Sequence, residues 1–202
     1  MFTAEQATSL VQEIINIGLN GVGPLSSAKS LADEYRSGYA SVEESINALI
    51  RWEASKSFGY GFVTGLGGVI TLPVTLPAAL FATWAVQARL VGAIAELKGY
   101  DSSCPQVQTM VLLIMLGDPI KELGRQVAME VGKKVSHQLI MKIPGHMIRE
   151  INKQVGFRLL TKAGQKGTVN LIKAVPFIGG LIGGGVDAYA TNAVGDVANA
   201  VL

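Results

Sequence analysis

Apolar positions along this chain recur mostly every three or four residues, the spacing of helices that bury one side. Leu10, Val11, Ile14, Ile15 and Ile17 share one side of a first helix. Thr3 is placed to cap its start, where a hydroxyl oxygen can accept from a free first-turn N–H, and Gly21 stops it. A second, shorter helix is expected over residues 27–39. Ser41 and Glu44 then form the Ser-x-x-Glu capping box at the head of a third helix, which carries Val42, Ile46, Leu49 and Ile50 on one side.

The middle of the chain departs from this amphipathic rhythm. From Ser57 to Ala88 there is no charged residue. A helix predicted from Pro77 to Lys98 is apolar nearly all round, with Thr83, Gln87, Arg89 and Glu96 as the main exceptions. Such a helix belongs either in a protein core or in a membrane, and its length would span a bilayer. Arg89 near its middle would cost about 2.5 kcal/mol or more at a bilayer centre, which favours the core. Arg89 and Glu96 lie on one face, so a buried arginine with a carboxylate partner is expected.

After the loop GYDSSCP, Pro105 opens a short helix with a very apolar body, Val107 to Leu116. Asp118 and Pro119 head a further helix reaching about Met141, and Pro144 opens another with Ile148, Ile151, Val155, Leu159 and Leu160 at helical spacing. Only VITL, at 69–72, has the look of a strand. The pattern therefore specifies an all-α fold. It predicts a multi-helix bundle of about eight helices in a single domain over 1–202, built round a buried apolar central hairpin and closed by a Gly-rich C-terminal helix.

That last segment, VPFIGGLIGGGVDAYATNAVGDVANAVL, places small residues every four positions. One row runs Gly180, Gly184, Ala188; a second runs from Gly183 to Gly195. Each glycine costs a soluble helix about 1 kcal/mol relative to alanine. Rows of small residues let another backbone approach, and dispersion attraction along the resulting interface offsets that cost. A glycine-zipper helix is the expectation.

Composition adds where the helices work. Charged residues make up 16% of the chain, against about 25% in a typical soluble domain, and mean hydropathy is +0.37. The charge is unevenly spread: residues 1–60 carry four basic and seven acidic side chains, residues 119–173 eleven basic and three acidic ones. A cationic block of this kind calls for an anionic partner or a solvated face. Phe157 is its one aromatic residue, so it lacks stacking platforms for nucleic acid, and no nucleic-acid partner is expected. Anionic lipid headgroups fit better, at about 1 kcal/mol for each nearby Lys or Arg. The start of the chain, MFTAEQATSL, lacks the basic and apolar regions of a signal peptide, and the single cysteine, Cys104, leaves no intrachain disulfide. A cytoplasmic protein, peripheral to or inserted in the inner membrane, is expected.

No pattern carries catalysis. His146 and Glu150 share a helix face, but a catalytic zinc needs a third protein ligand, and His137 does not complete a recognised motif. Cys104 with a histidine would be a nucleophilic pair only if folding brought them together. The glycines of GYGFVTGLGG, 59–68, lack the lysine of a phosphate loop. Trp52 and Trp84 suit either an interfacial belt or core packing. No catalytic residue, metal or cofactor is expected.

Two stretches, GLGGVITLPVTLPAALFATWAVQARLVGAIAELKGYD at 65–101 and IPGHMIREINKQVGFRLLTKAGQKGTVNLIKAVPFIGGLIGGGVDAYATNAVGDVA at 143–198, resemble the EcsC family. The likeness rests on the Gly-rich entry, the paired Pro73 and Pro77, the Arg-Leu then Gly-Tyr-Asp run ending at Asp101, and the Pro-Phe-Ile-Gly-Gly stretch. It runs from about Glu44 onward, which leaves 1–43 less clearly assigned. The resemblance implies a bacterial protein with a membrane-associated or membrane-adjacent role, and it transfers no active site.

The leading expectation is a non-enzymatic, membrane-associated protein. Lys133, Lys134, Arg149, Lys153, Arg158 and Lys162 would meet anionic lipid, and Phe177 and Ile178 would insert. A membrane transporter or a second copy are the other partners considered. The rival reading is a soluble carrier of lipid or another hydrophobic ligand, with Arg89 facing the headgroup. A hydrolase acting on a membrane substrate has no triad to support it.

Overall fold

The computed structural model describes residues 3–23, 25–56, 78–116, 137–170 and 179–202, apart from the side chains of residues 56, 78, 79, 137 and 139 and those within 162–170 and 179–188. These residues are all-helical. Seven helices of 11 to 26 residues appear in the order α1 (Ala4–Ile15), α2 (Ala28–Gly38), α3 (Val42–Lys56), α4 (Ala78–Leu97), α5 (Pro105–Met115), α7 (Gly145–Asn170) and α8 (Gly179–Val201), with the five-residue α6 (His137–Met141) before α7. The strand-like stretch at 69–72 and the helix expected over 118–136 lie outside the described residues.

The helix starts follow the local chemistry. Thr3 closes a full capping box with Gln6: its Oγ1 accepts from Gln6 N–H, and the Gln6 side chain accepts from Thr3 N–H. Ser27 accepts from Ser30 N–H at the head of α2, and Ser41 accepts from Glu44 N–H ahead of α3. Pro105 occupies the first turn of α5, where its missing N–H is harmless.

The first helix does not stay α-helical up to Gly21. Its last stretch, Asn16–Asn20, is a π turn that buries Ile17, Gly18 and Leu19 in succession. Of these, Gly18 lies against Ala85 and Ala88 of α4, and Leu19 against Gly92. A Cβ on Gly18 would come within 2.7 Å of Ala88 Cβ, so the contact requires glycine. Gly21, at φ +79°, then turns the chain.

At the centre lies α4, touched by α1, the π turn, α2, α3, α5 and α8. Its stretch Leu80–Leu97 is long and apolar enough to cross a membrane, yet 83% of it is buried inside the protein. Residues 107–115 of α5 are likewise buried except Gln108. α1 lies along α7, where Ile151, Val155, Leu159 and Leu160 face inward. α8 packs on α3 and α4.

Contacts between distant residues fix the helix directions. Asn199 of α8 donates to Glu43 of α3, and Gly195 lies against Ile50, so these two run antiparallel. Lys98 donates to the Asn199 carbonyl and Tyr100 to that of Leu202, so α4 and α8 finish at the same end. Thr109 donates to Asn152, while Leu116 lies beside Phe157, Arg158 and Thr161, so α5 and α7 run parallel. The last residues of α3, α5 and α7 and the first residues of α4 and α8 therefore face one end of the bundle.

Candidate functional site

The deepest chemistry in the described residues is an ion pair. Arg89, in the middle of α4, donates through Nη2 to Glu53 Oε2 of α3. The side chains are 8% and 0% exposed. Nη1 reaches Ser26 Oγ at 3.4 Å, and Nε has no partner among the described residues. Ion pairs this dry form because an isolated buried charge is far costlier than a paired one. The carboxylate partner is thus Glu53 rather than Glu96. Glu96 instead accepts from the N–H and hydroxyl of Ser102, at 2.8 and 2.6 Å, and holds the α4–α5 loop.

Glu53 was legible in one respect. It continues the apolar row Ile46, Leu49 and Ile50 at helical spacing, so it lies on the buried side of α3. Its charge also acts on Tyr35, 8% exposed. Burial first, and then the Glu53 carboxylate, push the Tyr35 hydroxyl up to about 12. Tyr35 stacks on Tyr39 with ring centroids 6.0 Å apart.

The basic residues are placed very differently. Arg149 and Arg158 are exposed on α7, and Lys153 is half-buried. Lys153 and Arg158, five residues apart, are separated by about 140° around the helix. Arg149 and Lys153 therefore follow one margin of the solvent-facing arc, and Arg158, with Lys162 in register, follows the other. Between them lie His146, Glu150, Gln154, Phe157 and Thr161. Lys162 is in α7 but its side chain is outside the described ones, and Lys133, Lys134, Phe177 and Ile178 lie wholly outside the described residues.

Among the small residues of α8, Gly195 makes the close approach. A Cβ there would meet Ile50 Cγ1 at 2.8 Å. Gly180, Gly183, Gly184 and Ala188 are helical, and their surroundings lie outside the described side chains. Sequence reasoning missed Gly156, where a Cβ would collide with the Ala7 carbonyl, its carbon 2.7 Å away. Nothing in the local sequence distinguishes Gly156 from a glycine that merely weakens its helix.

Two open recesses lie among the described residues. One, about 550 Å³, lies between α3 and α8 and is lined by Tyr39, Glu44, Asn47, Ile50, Arg51, Asn192 and Asp196. The other, about 360 Å³, is lined by Leu116, Phe157, Arg158 and Thr161.

Cys104 sits in the loop before α5. Burial and the neighbouring Asp101 carboxylate push its thiol up, away from the thiolate a nucleophile needs. Asp101 itself is held below its ordinary value, chiefly by hydrogen bonds from the Ser103 hydroxyl and N–H. Among the described residues no three His, Cys, Asp or Glu side chains cluster as metal ligands.

No curated protein and no solved structure matches this chain. The EcsC protein family model, however, matches residues 3–202, taking in the N-terminal helices α1 and α2 as well as the core, and the chain belongs to that family.

Proposed function

We propose that this protein is a non-enzymatic, cytoplasmic component that associates peripherally with a bacterial inner membrane through anionic lipid. The observation that carries this reading is the division of its cations. Arg89, on the oily helix, is neutralised by Glu53 and committed to the core, whereas Arg149, Lys153 and Arg158 border the solvent-facing arc of α7. Cations bordering a surface arc reach headgroup phosphates while their stems lie along apolar surface. Lys133, Lys134 and Lys162 extend the same block in sequence, and Phe177 and Ile178 follow it as the inserting pair. The small-residue rows of α8, from Gly180 and Gly183 to Gly195, would seat a close-packed helix, from this chain or from a membrane partner such as a transporter.

Co-sedimentation with vesicles tests the reading. The protein is expected to pellet with vesicles containing phosphatidylglycerol and to stay in solution with phosphatidylcholine alone. Reversing Arg149, Lys153, Arg158 and Lys162 to Glu together should abolish pelleting at physiological salt; undiminished pelleting of that folded variant would remove the proposal.

A carrier of a hydrophobic ligand is the second reading. The recess beside Leu116 and Phe157, with Arg158 at its lip, is the feature that favours it. Arg89 is less suited to a headgroup than its position in the sequence implies, since Glu53 already compensates its charge. Co-purified lipid in native mass spectra is the outcome expected of a carrier.

A further inference from the structure

The recess between α3 and α8 is lined by charged and amide side chains that the fold leaves unused, and their character changes from one end of it to the other. We infer that this recess binds an extended peptide segment carrying a lysine or arginine. Glu44 and Asp196 take the cationic side chain, and Asn47, Asn192 and Arg51 take the main chain. These residues belong to α3 and α8 rather than to the α7 surface, so this binding stands or falls separately from the lipid contact.

The packing beneath sets the geometry. Gly195 lies against Ile50, which brings the two antiparallel helices together and makes Ile50 an apolar floor. Glu44, Asn47 and Arg51 recur at helical spacing on one side of α3, and Asn192 and Asp196 do so on α8. The two rows wall a space of about 550 Å³, which Tyr39 also lines. Counted from the Asn199–Glu43 and Gly195–Ile50 contacts, Asp196 is nearly level with Asn47, and Asn192 with Arg51. Glu44 and Arg51 are about 10 Å apart along the helix, the length of about three extended residues.

Hydrogen-bonding capacity is left over on both walls. Arg51 Nε donates to the Asn47 carbonyl at 3.2 Å, which steadies the guanidinium and leaves Nη1 and Nη2 without a partner among the described residues. The Glu44 carboxylate and the Asn47 amide have none there either. The Asn192 amide donates to Asp196 Oδ2 at 3.0 Å, and the other oxygen of each side chain is unpaired among the described residues. A carboxamide presents a donor and an acceptor side by side, the complement of the N–H and C=O that each peptide unit carries.

Charge chooses among occupants. Among the described residues no ion pair joins Arg51 to Glu44 or Asp196, although all three line one recess. Two carboxylates against one guanidinium favour a cationic guest and repel anionic lipid or nucleic acid. A neutral sugar makes no use of that excess. A bare polyamine answers the carboxylates but sets a cation against Arg51. Tyr39, 41% exposed and stacked on Tyr35, adds a ring over which a cation can lie.

An array of acetylated, amidated pentapeptides, varied at each position through all residue types, is probed with the purified protein. The strongest binders are then titrated in solution by fluorescence anisotropy. They are expected to share a lysine or arginine at one position. Glu44→Gln/Asp196→Asn should weaken them at least about 10-fold. Arg51→Met should weaken them too while keeping the preference for a basic residue. Glu5→Gln/Glu34→Gln removes the same charge from exposed positions on α1 and α2 and should change affinity less than about 2-fold. No peptide above background, binders without a basic residue, equal losses in the two carboxylate pairs, or spermine binding as tightly as the best peptide each overturns the proposal. Thermal melts check folding; should the first pair unfold, Glu44→Gln alone carries the same comparison, since its carboxylate has no partner among the described residues.

Discussion

Helices α4 and α7 both carry arginines, and the contrast between them explains most of this molecule. Arg89 on α4 is enclosed, with Glu53 on one nitrogen and Ser26 near another. Arg149 and Arg158 on α7 lie at the surface. On α4 the guanidinium answers a desolvated carboxylate, so its value is the penalty it prevents. On α7 Arg149 is exposed, where a charge keeps its hydration and contributes little to the fold. Charge in a sequence therefore says little until burial is known: one residue type here is a structural necessity on one helix and a surface property on the other.

Removing a single partner of the buried pair should give the largest effect. Arg89→Met leaves Glu53 charged in a dry site and is expected to destabilise the protein by about 3–5 kcal/mol, read from urea unfolding. Pairing it with Glu53→Leu removes the stranded charge as well and should recover most of that loss. If Arg89→Met alone behaved like a surface substitution, the contrast between the two helices would be broken.

Packing supplies the next effect, this time within α7. Gly156→Val drives a side chain into the Ala7 carbonyl and should cost about 1–3 kcal/mol. Gly145→Ala, with nothing within 4 Å of the added carbon, should stay within about 0.5 kcal/mol. The two glycines sharpen the comparison by showing that α7 has its own intolerant side, against α1.

Proton binding near the α3–α4 pair follows. Tyr35 ionises near 10 when unperturbed but only at about 12 in the fold. Between those values the unfolded chain has released a proton that the folded one retains. Stability present below pH 10 should therefore decline as pH rises toward 12. Tyr35→Phe should flatten this decline in thermal melts taken across the range. At the acid end the sign reverses: Asp101, held below its ordinary value, contributes stability above the usual carboxylate range that is lost as pH falls through its folded value.

The smallest effect belongs to the cations of α7. Arg149→Gln should change unfolding free energy by less than about 0.5 kcal/mol. A loss comparable to that of Arg89→Met would show that α7's arginines are also structural, and would dissolve the distinction.

Periodicity and local chemistry determined a good deal of this protein. The all-helical class, the caps at Thr3, Ser27 and Ser41, the stop at Gly21 and the near-uniform apolarity of α4 are each written within a few neighbouring residues, because first-turn hydrogen bonds and helical faces are set locally. Even the preference of α4 for a core follows from Arg89, whose charge is hard to place in lipid. Tertiary structure alone decided the rest. Arg89 could have met Glu96, seven residues on, but found Glu53, 36 positions earlier in the chain. Gly18 and Gly156 became contact points only because α4 and α1 passed close by. Asn199 and Glu43, far apart along the chain, came to one level because α3 and α8 run antiparallel. Partner choice, close approach and shared level all depend on which distant helix arrives, and a helix's own pattern records the side it buries without recording the neighbour that covers it.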